Sequence, residues 1–125
     1  MTIYLAGKIT GNPNYKEDFE AAERMLTEAG ESVLNPAILP FGWGYDSYMR
    51  MAHAMLVECD AICLLPNWMD SRGARVELMN ACMYGKRIIR YSDIKEHGLK
   101  ILTKGEALAL LAMACLRAEL RTQEG

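Results

Sequence analysis

The chain has 125 residues, of which 51% are hydrophobic and 24% charged, and its formal net charge is −2. That length and balance fit one ordinary domain with a core of its own, residues 1–125, and exclude a disordered chain. Without a basic excess, a nucleic-acid polymer is not expected as partner.

Ile3-Tyr4-Leu5-Ala6 is a short apolar run closed by Gly7 and reads as a buried strand. Asn12-Pro13-Asn14 opens a helix from about Tyr15 to Ala29, with Tyr15, Phe19, Ala22, Met25, Leu26 and Ala29 on one stripe. Asn12 or Asn14 can cap it, Glu17 and Asp18 suit its first turn, and Gly30 ends it. Ser32-Val33-Leu34 is a second strand, stopped by Asn35-Pro36. Pro36 to Tyr45 is apolar, aromatic and too rich in Pro and Gly to be regular throughout. A helix from Tyr48 to Glu58 follows, with Asp46 or Ser47 as its cap. Asp60 to Leu65 is a third strand. Arg72 to Tyr84 is a helix stopped by Gly85, and Arg87 to Tyr91 is a fourth strand. A looser stretch from Ser92 to Thr103 precedes a last helix, about residues 105–121.

Alternating strands and helices predict an α/β fold. We expect a small flavodoxin-like or Rossmann-like sandwich, with a parallel sheet of four to five strands and helices on both faces. In such sheets ligands lie beyond the carboxyl ends of the strands, which places the loops after Ala6, Leu34 and Leu65 on one functional edge. The last helix is apolar from Ala107 to Leu116, and a side not covering the sheet would pack on another subunit, so a homo-oligomer is expected. That run is too short to span a bilayer, and Met1 to Leu5 lack the features of a secretion signal. Cys59, Cys63, Cys82 and Cys115 form no CxxC pair and read as buried, reduced thiols of a cytoplasmic protein.

The chemistry concentrates around Ser71-Arg72-Gly73-Ala74-Arg75-Val76-Glu77. A strand entering a helix through a Ser/Gly turn leaves free backbone N–H groups, which favour an anion. Glu77 follows Arg72 by about 7–8 Å of helix axis, roughly the length of one sugar. An acid on a helix that is apolar nearly all round needs a reason, although a Glu is most often simply solvated. Gly7 and Gly11 permit close approach of a ligand, and Lys8 and Thr10 can meet a phosphate, but the loop has neither Walker nor GxGxxG spacing and also reads as a plain tight turn. Trp43 and Trp68 offer faces to a planar base, or else they cover the core. Tyr4 is either core or a phenol at the sheet edge. His53 reads as a packed or surface residue, and no metal or cofactor is expected.

Together these residues resemble the nucleoside 2-deoxyribosyltransferase superfamily. The resemblance rests on Tyr4 to Gly11, on Asp60 to Leu65, and on Ser71 to Glu77, and it spans about residues 3–91. More closely, Ser47-Tyr48-Met49, Ala54-Met55-Leu56 and Leu65 to Ala74 resemble a small group common in phages and prophages. The resemblance implies a nucleoside or nucleoside monophosphate as substrate and Glu77 as a nucleophile that displaces the base. It implies that Tyr4 orients Glu77, that Ser71, Arg72, Gly73, Lys8 and the Gly7–Gly11 loop hold the 5′ end, and that Trp43 or Trp68 stacks on the base. It also implies that a second chain completes the pocket. The superfamily's assisting Asp maps to about Ala52, beside His53, where no acid stands. Asp46, Asp60, Asp70 or His53 are the candidate substitutes, and a nucleotide-binding protein without turnover is the alternative.

Overall fold

The computed structural model describes residues 1–40 and 42–124. Four strands, β1 (Thr2–Ala6), β2 (Ser32–Leu34), β3 (Ala61–Leu64) and β4 (Arg87–Arg90), form one sheet in the order β2-β1-β3-β4. All three pairings are parallel, with Tyr4 opposite both Leu34 and Ile62. Five helices connect and flank them: α1 (Tyr15–Glu28), α2 (Tyr45–Val57), α3 (Arg72–Met83), α4 (Tyr91–His97) and α5 (Lys104–Glu124). The expected α/β class therefore holds, with four strands. The winding reverses between β1 and β3, the crevice where such sheets take ligands.

Strand alternation sorts the core into two layers. Ile3, Leu5, Ala61, Cys63 and Ile89 face α1, whose Phe19, Ala22 and Leu26 cover them. Tyr4, Ala6, Ile62, Leu64 and Ile88 face the other way, beneath Ala52 and Leu56 of α2, Ala74, Leu78 and Ala81 of α3, and Ala107 and Ala114 of α5. The alanines of α3 and α5 let those helices lie close to each other and to the sheet.

The helix ends explain several boundaries. α1 closes in a Schellman turn at Gly30 (φ +89°), with Glu31 N–H donating to Leu26 C=O at 3.0 Å. Asn14 occupies the N-cap of α1 without a side-chain bond, while the Asn12 side-chain carbonyl accepts from Asn14 N–H at 3.1 Å. α2 starts at Tyr45, three residues before the expected Tyr48, with Gly44 at its N-cap in place of Asp46 or Ser47. The stretch after β4 is not loose: Tyr91–His97 is the helix α4, closed by Gly98 at φ +65°. Of the four thiols, Cys59 and Cys63 are buried, Cys82 is half-buried, and Cys115 is exposed on α5, against expectation. Among the described residues no helix is long and apolar enough to cross a membrane.

Candidate active site

A cavity of about 750 Å³ opens beyond the carboxyl ends of β1, β2 and β3. Its walls come from the loop after β1 (Gly7, Gly11), the segment after β2 (Pro36, Leu39), the start of α2 (Tyr45, Tyr48, Met49) and the start of α3 (Ser71, Gly73, Glu77). Each wall has a local cause. Gly7 passes so close to β3's end that a Cβ there would stand 2.9 Å from the Leu65 side chain. Lys8 N–H donates to Asn67 Oδ1 at 3.1 Å, which ties the first loop to the turn after β3. The Asn35 side chain accepts from Ala37 N–H at 2.9 Å and turns the chain away after β2. Ser71 caps α3 by accepting from Ala74 N–H at 3.0 Å. A Cβ on Gly73 would stand 3.2 Å from Met49 Sδ, so α2 and α3 meet tightly at the cavity's edge.

Glu77 lies in the second turn of α3, on the face it shares with Ala74, Leu78 and Ala81, and is only 4% exposed. It lines the cavity. The fully buried Tyr4 hydroxyl donates a hydrogen bond to its carboxylate. Burial pushes the Glu77 carboxyl up to about 8, and the Tyr4 hydrogen bond pulls in the opposite direction. The Tyr4 phenol is held well above its ordinary value by burial and by the Glu77 charge. Tyr48, half-buried in the cavity wall, is raised by the same two causes in the same order.

Of the sequence-selected residues, Gly7, Gly11, Trp43, Ser71, Gly73 and Glu77 line the cavity, and Tyr4 lies behind Glu77. Four others are placed elsewhere. Trp68 is buried in the core against the α2, α3 and α5 side of the sheet, because the 3-10 turn Trp68–Asp70 directs it inward. Asp46 is exposed on α2 outside the cavity wall. The Arg72 guanidinium sits over the Tyr45 ring, 5.0 Å from its centre, and does not line the cavity. Lys8 is likewise outside the lining; its side chain bends back toward Gly11. Phe41, from the aromatic loop, lies outside the described residues.

The substitutes for the missing acid are also elsewhere. Asp60 accepts from Thr2 N–H at 2.8 Å, at the opposite end of the sheet. Asp70 pairs with Arg121 and, at 3.7 Å, with Arg117, which fastens α5 to the turn before α3. His53 lies between Asn80 (3.4 Å) and Tyr84 (3.3 Å). Among the described lining residues Glu77 is therefore the single carboxyl, and none is a Lys, Arg or His. Sequence reasoning missed Tyr15 and Tyr48 as wall residues, whereas Tyr45 belongs to the aromatic segment it had offered to a base. The signal for Tyr48 was its position in the first turn of a helix that follows the Pro/Gly-rich segment.

The model of a domain of unknown function, DUF4406, matches residues 1–90. No curated protein sequence matches the chain. Among solved structures, a 2-deoxyribosyltransferase from Bacillus psychrosaccharolyticus superposes with a TM-score of 0.56 at 20% identity, over 72% of this chain and 71% of that one. A CMP N-glycosidase from Clostridium botulinum gives 0.54 at 24% identity, over 72% and 70%. A 2-deoxyribosyltransferase from Leishmania mexicana gives 0.56 at 23% identity, over 82% and 78%. The fold is shared with these proteins. By its own sequence, the chain belongs to the DUF4406 family.

Proposed function

We propose that this protein cleaves or exchanges the N-glycosidic bond of a nucleoside or nucleoside monophosphate, with Glu77 as nucleophile. The observation that carries the reading is a buried carboxylate, hydrogen-bonded to Tyr4, facing a cavity beyond the strand ends. The similar solved structures, two deoxyribosyltransferases and a CMP N-glycosidase, support the same reaction class. The ionised Glu77 attacks C1′ and displaces the base, giving a glycosyl ester that water or a second base then opens. Tyr4 fixes the carboxylate, Trp43 and its aromatic neighbours receive the base, and Ser71, Gly73 and the Gly7–Gly11 loop hold the 5′ end. Since no Lys, Arg or His is found among the described lining residues, backbone N–H groups and the hydroxyls of Thr10 and Ser71 have to serve a 5′ phosphate.

Incubation with ribo- and deoxyribonucleosides and their monophosphates, with base release followed by chromatography, tests the reading. Release that Glu77→Gln and Glu77→Ala abolish supports it; release undiminished in both variants refutes the nucleophile. A second reading, a nucleotide-binding protein without turnover, is favoured by one observation: no second carboxyl lines the cavity among the described residues. Under that reading nucleotides raise the thermal midpoint while no base is released.

The chain also acts as a homo-oligomer in this reading. α5 exposes Leu108, Met113, Leu116 and Leu120, and α3 exposes Met79 and Met83. Exposed apolar side chains of this kind on neighbouring helices support a protein interface. Sedimentation as a monomer at micromolar concentration would overturn this part.

A further inference from the structure

Departure of a base from a sugar requires a proton donor as well as a nucleophile, because the base's nitrogen takes the bonding electron pair. The carboxyls and the histidine that sequence reasoning offered for this task are turned elsewhere: Asp60 to Thr2, Asp70 to two arginines, His53 to Asn80 and Tyr84, Asp46 to solvent. The cavity wall itself holds another hydroxyl proton. Tyr48 lies in the first turn of α2, half-buried, lining the same cavity as Glu77 and packed against the core layer that contains Tyr4. Tyr45, by contrast, is 42% exposed and engaged with Arg72.

We propose that Tyr48 is the catalytic acid of this site, giving its phenolic proton to the departing base and recovering a proton from water in the second step. This rests on the glycosidic reading above. In the first step a Glu77 carboxylate oxygen bonds to C1′ and the C1′–N bond breaks. The electron pair goes to the base nitrogen, which takes the Tyr48 proton. One negative charge thereby moves from Glu77, now a neutral ester, to the Tyr48 oxygen. In the second step the phenolate removes a proton from water, the hydroxide oxygen bonds to C1′, and the ester C–O bond breaks to restore the Glu77 carboxylate.

The electrostatics fit this order. Burial first, and the Glu77 charge second, hold the Tyr48 proton on in the resting site. Esterification of Glu77 removes the repelling charge at the moment the base needs a proton. It also frees the Tyr4 hydroxyl, until then donated to Glu77, to turn toward the Tyr48 oxygen. Tyr48→Phe keeps the ring in the wall and removes only the hydroxyl.

The test compares two leaving groups on one sugar: the best natural base from the nucleoside and nucleotide panel, and 4-nitrophenolate, which leaves without a proton. Tyr48→Phe is expected to lose about 100-fold or more in kcat on the natural base. On the 4-nitrophenyl glycoside it is expected to stay within a few-fold of the unsubstituted protein. Equal losses on both, or no loss on either, would overturn the proposal. A second variant, 3-fluorotyrosine at position 48, guards against a folding defect: its more acidic phenol should change the pH profile for the natural base only, and identical profiles count against Tyr48. Nitrophenol release with no release of any natural base also overturns the proposal but leaves Glu77 as nucleophile. Release from neither substrate by the unsubstituted protein overturns both.

Discussion

The two faces of the sheet are built by the same strands yet hold different chemistry. Toward α1 the described core cluster is Ile3, Leu5, Phe19, Leu26, Cys63 and Ile89, with no ionisable carboxyl among the buried residues there. Toward α2, α3 and α5 the layer is as well buried, but Tyr4 interrupts it from β1 and meets Glu77 from α3. Burying a carboxyl costs stability unless it is hydrogen-bonded, and even then an apolar side chain of similar size often does as well. The α1 face shows that this sheet packs without such a pair. The pair sits where the core meets the cavity, so its cost is coupled to the site and not to the fold.

The contrast can be broken from either side. The largest effect is on activity: Glu77→Ala should reduce base release by about 10⁴-fold or more, as loss of a covalent nucleophile does, with the fold retained by circular dichroism. Substitution on the other face should do the reverse. Phe19→Ala, in the layer on the α1 side, should lower unfolding free energy by about 3–5 kcal/mol. The chains that remain folded should keep their kcat; a large kcat loss would mean that the two layers are not separable.

A third effect depends on pH. Burial pushes the Glu77 carboxyl up to about 8 in the folded protein, from an ordinary value of 4.5. Below 4.5 both folded and unfolded chains hold the proton, and stability is at its full value. Between 4.5 and 8 the unfolded chain gives up its proton first, so stability falls as pH rises, by a few kcal/mol across the window. Glu77→Gln should flatten that slope and be the more stable form at pH 9 by denaturant titration. A slope unchanged by the substitution would place the titrating group elsewhere. The same ionisation predicts that kcat/KM of the unsubstituted protein rises toward pH 8, because only the carboxylate attacks. The smallest effect is Ser71→Ala, which removes the α3 cap bonded to Ala74 N–H and should cost about 1 kcal/mol.

Much of this was legible in the sequence. The strand–helix alternation fixed the class because the first three strands are short apolar runs closed by Gly, Pro or Asn, and α1 carries a clear apolar stripe. The meeting of Tyr4 and Glu77 was expected only from the resemblance; read by itself, Tyr4 was either core or a phenol at the sheet edge. Other features depend on contacts that no local pattern encodes. Trp68 looks like a stacking face in sequence, but the 3-10 turn carries it into the core. Arg72 looks like an anion ligand, yet the Tyr45 ring claims its guanidinium. α4 was hidden because Tyr91–His97 is seven residues long and has no buried stripe. Tyr48 was hidden for a related reason: an aromatic in the first turn of a helix reads as packing until the cavity on its far side is seen.

The most direct test is the covalent intermediate. The protein is mixed with its best substrate, quenched in acid within a turnover, and digested for mass spectrometry. A peptide carrying one sugar, esterified at Glu77 and absent from Glu77→Gln, is the predicted result. Base release with the sugar on another residue, or with no adduct even when a slow 2-fluoro sugar analogue is used, would contradict it.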